Sequence, residues 1–126
     1  MHPQFTDLCL ISADVLRLVS FYETLFDTTA SEKDAYHASI QIGGLWLTID
    51  AARIAEESSA FSYVGAKASD NTIICFNVAD VDAAYARVLE LGAVVLCEPT
   101  THPWGARSFQ FRDADGNILN FRTVGQ

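Results

Sequence analysis

Short segments in which hydrophobic and polar residues alternate recur along the chain, and each predicts a strand of a sheet with one buried face. The first half contains DLCLISA (7–13) and HASIQIGGLWLTID (37–50), and the second half contains TIICFNV (72–78) and ARSFQFRDADGNILNFRT (106–123). Gly43-Gly44 and Asp115-Gly116 interrupt the two longer segments and supply the positive φ that tight hairpin turns require. Each half is therefore predicted to contain one strand followed later by further extended chain.

Between these strands, two segments place apolar residues at helical spacing. They are VLRLVSFYETLF (15–26) and VDAAYARVLELG (81–92). Asp14 and Asp80 stand immediately before them, where an aspartate can accept a hydrogen bond from the first free N–H groups of a helix. Gly92 is a suitable residue for the end of the second helix.

The two halves are related by an internal repeat. TDLCLISADV (6–15) aligns with TIICFNVADV (72–81) at a constant offset of 66 (72 minus 6), with Thr, Cys, Ala, Asp and Val in common. The repeat predicts an α+β fold made of two tandem βαβββ modules within a single domain, 1–126. Module 1 covers about 5–52, a Ser- and Ala-rich linker about 53–70, and module 2 about 71–124.

The alternation assigns one face of each strand to the core. One set of side chains is uniformly apolar and must bury against the two helices, because it has no other way to leave water. The opposite set is mixed and contains His37, Trp46, Thr48, Ser108, Gln110, Arg112, Ile118 and Asn120. A solvated outer face is one interpretation of this set, and a ligand cleft, favoured by Trp46 and Ile73 among the polar groups, is the other.

Composition and charge restrict the function. A net charge of −8 with only 8 Lys and Arg residues makes nucleic acid an unsuitable partner. No apolar run approaches the roughly 20 residues that span a bilayer, and no leader pattern begins the chain, so a soluble protein without a membrane partner is expected. Cys9, Cys75 and Cys97 form no CxxC pattern, which favours a reducing cytoplasm; each is interpreted as a small hydrophobic residue of a strand.

The doubled βαβββ pattern, the ADV junctions before the helices, FYETLF (21–26) and above all HPWGARSFQFRDADGNILNF (102–121) resemble the vicinal oxygen chelate superfamily. This superfamily includes glyoxalase I, extradiol dioxygenases, fosfomycin-resistance enzymes and bleomycin-resistance proteins. The resemblance covers Phe5 to Thr123 and implies a curved mixed sheet that forms a cup, with the helices on its convex side. In the family, a divalent metal on the floor of the cup is held by His, Gln or Glu.

Carried over to this sequence, the family's ligand positions fall on Asp7, Thr48, Ile73 and Asn120. These residues provide one carboxylate, one hydrocarbon side chain and two weak neutral oxygens, whereas a catalytic divalent ion needs at least three good ligands. The expectation is a cup without a metal or other cofactor, with Asn120 as a hydrogen-bonding group. A divalent metal held by Asp7 together with His37 in an altered geometry is the alternative.

The leading functional interpretation is a metal-independent small-molecule-binding protein, closest to the bleomycin-resistance branch, which sequesters or delivers its ligand and forms a homodimer. The proposed apolar ligand contacts are Tyr36, Trp46, Phe61 and Trp104, and the orienting groups are His37, Thr48, Ser108, Gln110, Arg112 and Asn120. Trp104 has a second interpretation, in which its ring closes one end of the core.

Two other functions remain open. One is a lyase, isomerase or dioxygenase that uses a metal, or that uses Asp7 or His37 as a general base. For Asp7, a half-apolar cup can raise the pKa of the carboxyl toward the working pH. The other is a purely structural partner domain, since dimer surfaces and clefts use the same residue types.

Overall fold

The computed structural model describes residues 1–124 of the chain, and within them the predicted α+β architecture is confirmed. The strands are β1 Leu8–Ser12, β2 Glu32–Lys33, β3 His37–Ile42, β4 Leu45–Ala51, β5 Ile73–Asn77, β6 Val95–Thr101, β7 Arg107–Arg112 and β8 Ile118–Thr123. The helices are α1 Val15–Phe26, α2 Ile54–Glu57 and α3 Val81–Glu90, and a 3₁₀ turn covers Ser59–Phe61. The chain divides into two compact units, which meet in sequence between Lys67 and Ala68.

The first unit builds a four-stranded mixed sheet in the order β1-β4-β3-β2. β1 runs parallel to β4, while β3 is antiparallel to both of its neighbours. The hairpin between β3 and β4 turns at Gly43, whose φ of 59° is the left-handed conformation expected there. Helix α1 packs on β3 and β4 and buries the apolar side chains of the central strands.

The second unit repeats this arrangement, with the strand order β5-β8-β7-β6. β5 is parallel to β8, and β6, β7 and β8 are antiparallel. The turn between β7 and β8 uses Gly116, whose φ is 94°. Helix α3 packs on β6, β7 and β8.

Both helices begin at the predicted capping residues. The Asp14 carboxylate accepts a hydrogen bond from the Arg17 amide at 3.1 Å, and the Asp80 carboxylate accepts one from the Ala83 amide at 3.0 Å. Gly92 follows α3 with a φ of 72°, as expected at the end of a helix. Local sequence therefore determines where both long helices start.

The core of each unit lies between its helix and the apolar face of its sheet, as the alternation predicts. The fully buried large side chains are Val15, Leu18, Val19, Tyr22, Ile40, Leu47, Ile49, Val88, Phe109, Phe111 and Leu119. In unit 2 the aromatic rings contact one another edge to face, with centroids 5.2 Å apart for Tyr85 and Phe109 and 4.9 Å apart for Phe111 and Phe121. Each such side chain contributes roughly 1.5–3 kcal/mol when it leaves water.

Three details differ from the sequence-based expectations. Cys9, Cys75 and Cys97 are all exposed, so the apolar setting expected for these small hydrophobic side chains is wrong. Each lies in a strand, but its side chain belongs to the face that the helix does not cover. Helix α2 and the 3₁₀ turn occupy part of the predicted linker, and the short edge strand β2 had no alternating pattern to reveal it.

No helix among residues 1–124 is long and apolar enough to cross a membrane.

Candidate functional site

The face of the first sheet that α1 leaves uncovered carries the candidate residues of unit 1. Leu47 and Ile49 of β4 point into the core, so Trp46, Thr48 and Asp50 point the other way. β1 and β3 flank β4, and their register places Cys9 and Ser39 beside Thr48, and His37 beside Asp50. We call Cys9, His37, Trp46, Thr48 and Asp50, with Asp7 just before β1, the polar face of unit 1.

Asp7 lies at the exposed end of this face and is already hydrogen-bonded. Its two carboxylate oxygens accept from the Thr6 hydroxyl at 2.7 Å and the Thr48 hydroxyl at 3.0 Å. These hydrogen bonds, that of Thr6 first, lower the pKa of Asp7 below its ordinary value. The expected raised pKa is therefore wrong, and Asp7 is a weaker base than a general-base mechanism at neutral pH requires.

His37 belongs to a chain of hydrogen bonds that runs across three strands. Its Nδ1 lies 2.6 Å from one oxygen of Asp50, and the Cys9 thiol donates to the other oxygen at 3.2 Å. The hydrogen bond to Asp50 raises the pKa of His37 above its ordinary value. The pKa of the Cys9 thiol is raised too, first by partial desolvation among its neighbours on the exposed sheet face and then by the Asp50 carboxylate, so Cys9 is not an activated nucleophile.

The structure does not bring Asp7 and His37 together. Leu8 pairs with Leu47 and His37 with Asp50, three positions further along β4, which corresponds to about 10 Å along the strand. Each of the two side chains has its own polar partners. Within residues 1–124, no group of three or more His, Cys, Asp and Glu side chains is arranged to hold a metal ion.

In the second sheet, one row of side chains crosses all four strands. Cys75, Asn120, Gln110 and Cys97 are in register on β5, β8, β7 and β6. The Cys97 thiol donates to Gln110 Oε1 at 2.8 Å, Gln110 Nε2 donates to Asn120 Oδ1 at 2.5 Å, and Asn120 Nδ2 contacts Cys75 Sγ at 3.7 Å. We call these four residues, with Ser108, the polar face of unit 2. Asn120 is buried, and its side-chain oxygen accepts the hydrogen bond from Gln110.

The loop before β7 places two aromatic rings beside this face. The rings of His102 and Trp104 stack in parallel with centroids 4.5 Å apart, and His102 Nε2 lies 2.8 Å from the Ser108 hydroxyl. Trp104 is 75% exposed, so it does not close the core. Its outer face is open to a planar group.

The remaining predicted contacts have partners elsewhere. Arg112 donates to Asp70 at 2.9 Å and to the Gly116 carbonyl at 2.7 Å, so it braces the β7–β8 turn. Tyr36 is exposed and lies under the Arg53 guanidinium, 4.0 Å from the ring centroid. Phe61 is exposed in the 3₁₀ turn.

Sequence reasoning missed a depression of about 360 Å³ in unit 2. It is lined by Ala79, Asp80, Val81, Asp82, Thr101, Gly105, Arg107 and Thr123. Arg107 crosses it and forms two hydrogen bonds with the Asp82 carboxylate, at 2.8 and 3.1 Å. The Asp82 carboxylate offsets the charge of Arg107, which also donates to the Thr101 hydroxyl at 3.0 Å, and Asp80 adds a second carboxylate, so the lining is not cationic.

The residues at the family's four ligand positions do not fit a divalent metal. In unit 1 the two positions are Asp7 and Thr48. Each Asp7 oxygen accepts a hydrogen bond from a threonine hydroxyl, and one of the two donors is Thr48. In unit 2 the pair is Ile73, a hydrocarbon, and Asn120, whose oxygen accepts from Gln110. A single carboxylate among four positions falls short of the three protein ligands that a catalytic divalent ion requires.

Comparison with known proteins agrees with this architecture. A family model described as the Glyoxalase/Bleomycin resistance protein/Dioxygenase superfamily matches residues 4–121. A solved structure of a glyoxalase/bleomycin resistance protein/dioxygenase from Nocardioides is 25% identical, covers 100% of this chain and 86% of its own, and has a TM-score of 0.83. No curated protein matches the sequence.

Two further solved structures share the fold at lower identity. The fosfomycin resistance protein FosX from Mesorhizobium loti is 23% identical over 98% of this chain and 93% of its own, with a TM-score of 0.70. TioX from Micromonospora sp. ML1 is 21% identical over 96% of this chain and 98% of its own, also with a TM-score of 0.70. At these identities the likeness concerns the fold.

Proposed function

Because the chain belongs to the glyoxalase/bleomycin resistance protein/dioxygenase superfamily, we propose that it binds a small molecule without the help of a divalent metal. In this proposal it sequesters or delivers its ligand, as in the bleomycin-resistance branch that its sequence resembles. The ligand contacts hydroxyl, amide and aromatic groups of one of the polar faces.

The observation that carries the proposal is the state of the ligand positions. Asn120 replaces a carboxylate and gives its oxygen to Gln110 at 2.5 Å, and Asp7 gives both oxygens to threonine hydroxyls. A metal would have to break these hydrogen bonds and would still find only one anionic ligand, Asp7, and no imidazole at the four positions. Hydrogen-bonded amides and hydroxyls with adjacent aromatic rings are, in contrast, typical of sites that orient organic ligands.

The metal part of the proposal is tested first. Protein purified without chelator or metal resin is analysed for bound elements and then titrated with Zn²⁺, Mn²⁺, Ni²⁺ and Fe²⁺ by calorimetry. We expect substoichiometric metal and weak uptake. A stoichiometric ion whose removal abolishes ligand binding would overturn metal independence and favour the enzymatic alternative.

The binding part uses a small-molecule library screened by thermal shift in the presence of EDTA. A ligand at 100 times its Kd stabilises the native state by about 2.7 kcal/mol, which raises the Tm by several degrees. Each hit is then measured by calorimetry against Trp46→Ala and Asn120→Leu. Tyr63→Ala and Asn71→Leu serve as matched controls, since Tyr63 is 82% exposed and Asn71 lies in an exposed loop, and neither is on a polar face.

We expect ligand affinity to fall at least tenfold in Trp46→Ala or Asn120→Leu and to stay unchanged in the controls, because a lost contact of about 1.4 kcal/mol corresponds to a factor of ten. Equal affinity in all four variants would show that the ligand binds elsewhere.

The proposal includes assembly and location. We propose that the protein forms a homodimer. Size-exclusion chromatography with light scattering tests this, and a measured mass equal to that of one chain, 13.8 kDa, would contradict it. The three free thiols suit a reducing compartment, and we place the protein in the cytoplasm.

A further inference from the structure

The imidazole ring of His37 lies between two carboxylates that belong to different strands. Its Nδ1 is 2.6 Å from Asp50 on β4, and its Nε2 is 3.2 Å from Glu32 on β2. A carboxylate can only accept hydrogen bonds when ionised, so both ring nitrogens must carry a proton to satisfy both contacts. The geometry therefore describes the imidazolium form, because a neutral imidazole has one N–H.

Glu32 lies in the least secured strand of the sheet. β2 consists of two residues at the sheet edge, and among residues 1–124 it pairs only with β3. Two backbone hydrogen bonds flank it, from the Ser31 amide to the Ser39 carbonyl at 2.9 Å and from the Asp34 amide to the His37 carbonyl at 2.8 Å. The side-chain contacts of Glu32 with His37 and of Lys33 with Glu23 add to this short backbone pairing.

We infer that His37 is a pH-sensitive latch, which ties the edge strand β2 to the sheet while its ring is charged and releases the strand when the ring loses a proton. The Nε2 proton is the one lost, because the Nδ1 contact with Asp50 is shorter. Deprotonation leaves a nitrogen lone pair facing the Glu32 carboxylate, and the attraction at this contact becomes repulsion.

The neighbouring charged groups leave His37 as the group that titrates. On β1, the raised pKa of Cys9 keeps its thiol protonated as a donor to Asp50. In the β2–β3 turn, amide hydrogen bonds from Tyr36 and His37 lower the pKa of Asp34, which stays ionised. Next to Glu32, Lys33 is paired with Glu23 of α1 at 2.9 Å rather than with His37 or Glu32.

The sign of the effect follows from the direction of the shift. The hydrogen bond to Asp50 raises the pKa of His37 above the ordinary 6.5, and the negative charges of Asp50 and Glu32 act in the same direction. The stabilisation of the folded state by this group is therefore complete below the ordinary pKa and disappears as the pH rises through the raised one. The latch is closed in acid and opens in mild alkali.

Amide hydrogen exchange tests the latch directly. Protection factors, which correct for the pH dependence of intrinsic exchange, are measured by NMR from about pH 5.5 to about pH 9. The chemical shifts of the His37 ring are followed over the same range and report its protonation. We expect the protection of the Ser31 and Asp34 amides to fall about two- to fivefold as His37 deprotonates, the factor that a partly exposed ion pair supports. The Val78 amide, bonded to Arg122 in unit 2, serves as an internal reference.

Two variants identify the contact responsible. Glu32→Gln keeps the side-chain shape, and its amide can donate to a neutral ring or accept from a charged one, so the fall in protection should vanish. Lys33→Met removes the neighbouring ion pair with Glu23 and leaves His37 untouched, so the fall should persist. Both positions are exposed, and neither change disturbs the core.

Three results would overturn the latch. The first is constant protection at Ser31 and Asp34 across the titration of His37. The second is the same pH dependence in Glu32→Gln as in the unchanged protein, and the third is a His37 pKa at or below its ordinary value.

Discussion

The hydrogen bond between Gln110 and Asn120 decides how much of the Asn120 amide remains available to a ligand or a metal. Gln110 Nε2 and Asn120 Oδ1 are 2.5 Å apart, and Asn120 is only 9% exposed. Removing either side chain removes this contact, so Gln110→Ala, Asn120→Ala and the double variant form a thermodynamic cycle. The cycle reports the coupling free energy between the two amides.

The expected coupling is about 1 kcal/mol, within the roughly 0.5–1.5 kcal/mol that a neutral hydrogen bond contributes to stability. The single changes cost more than the coupling. Asn120→Ala leaves the half-buried Gln110 Nε2 with a long contact of 3.4 Å to the Ser108 hydroxyl, and a poorly satisfied donor away from water costs up to about 1–3 kcal/mol. In the double variant both polar groups are gone, so the combined loss is smaller than the sum.

Urea unfolding followed by circular dichroism measures the four free energies of unfolding. The pair Arg112 and Asp70 provides a matched control, because it is a charged contact of 2.9 Å whose Asp70 side chain is 76% exposed, and exposed ion pairs typically couple by less than about 1 kcal/mol. A Gln110–Asn120 coupling below roughly 0.3 kcal/mol, the usual limit of additivity, would refute the reasoning. Asn120 Oδ1 would then be free to accept other groups.

Three further results are expected. Asp14→Ala and Asp80→Ala each lower the free energy of unfolding by about 0.5–2 kcal/mol, since each removes a helix N-cap; urea midpoints equal to that of the unchanged protein would contradict this. Leu119→Ala costs about 2–5 kcal/mol in the same assay, because a fully buried side chain leaves a cavity, whereas Leu119→Met costs less than about 1.5 kcal/mol. Thr48→Val raises the pKa of Asp7 toward its ordinary value, as followed by ¹³C NMR, because one of the hydrogen bonds that lower it is lost. Because the pKa of Asp7 is lowered in the folded state, this carboxylate stabilises the fold at pH values above its ordinary pKa, and the stabilisation is lost as the pH falls through the lowered pKa. Thr48→Val therefore also makes the free energy of unfolding less sensitive to acid. An unmoved pKa of Asp7 would show that the Thr48 hydroxyl does not donate a hydrogen bond to Asp7 in solution.

Much of the fold was predictable because its determinants are local. Asp14 and Asp80 define the helix starts through hydrogen bonds only three residues away. The alternation of Leu47 and Ile49 with Thr48 separates the two faces of a strand without any knowledge of its neighbours. Cys9 and Cys75 were misinterpreted because the apolar residues next to them in sequence, such as Leu10 and Ile74, belong to the opposite face of the strand.

The hydrogen bonds of the site depend on register, which composition does not reveal. Counting outward from the turn at Gly116 would have paired Gln110 with Asn120, and counting from Gly43 would have paired His37 with Asp50. These two contacts therefore had a signal in the sequence that was not used. The contact of Cys9 with Asp50 had none, because β1 joins β4 in parallel through a helix, and tertiary packing sets that register.

β2 and β6, each at one edge of its sheet, bear on whether chains aggregate by extending their sheets. β6 contains Pro99, which has no N–H to offer, and its pairing with β7 is irregular between Val95 and Cys97 and again between Cys97 and Thr100. β2 has only two residues, and both are charged. Short, charged, irregular or proline-containing edges are poor templates for an incoming strand. At these two edges, the open-ended addition of strands from other chains, which produces fibres, is therefore disfavoured.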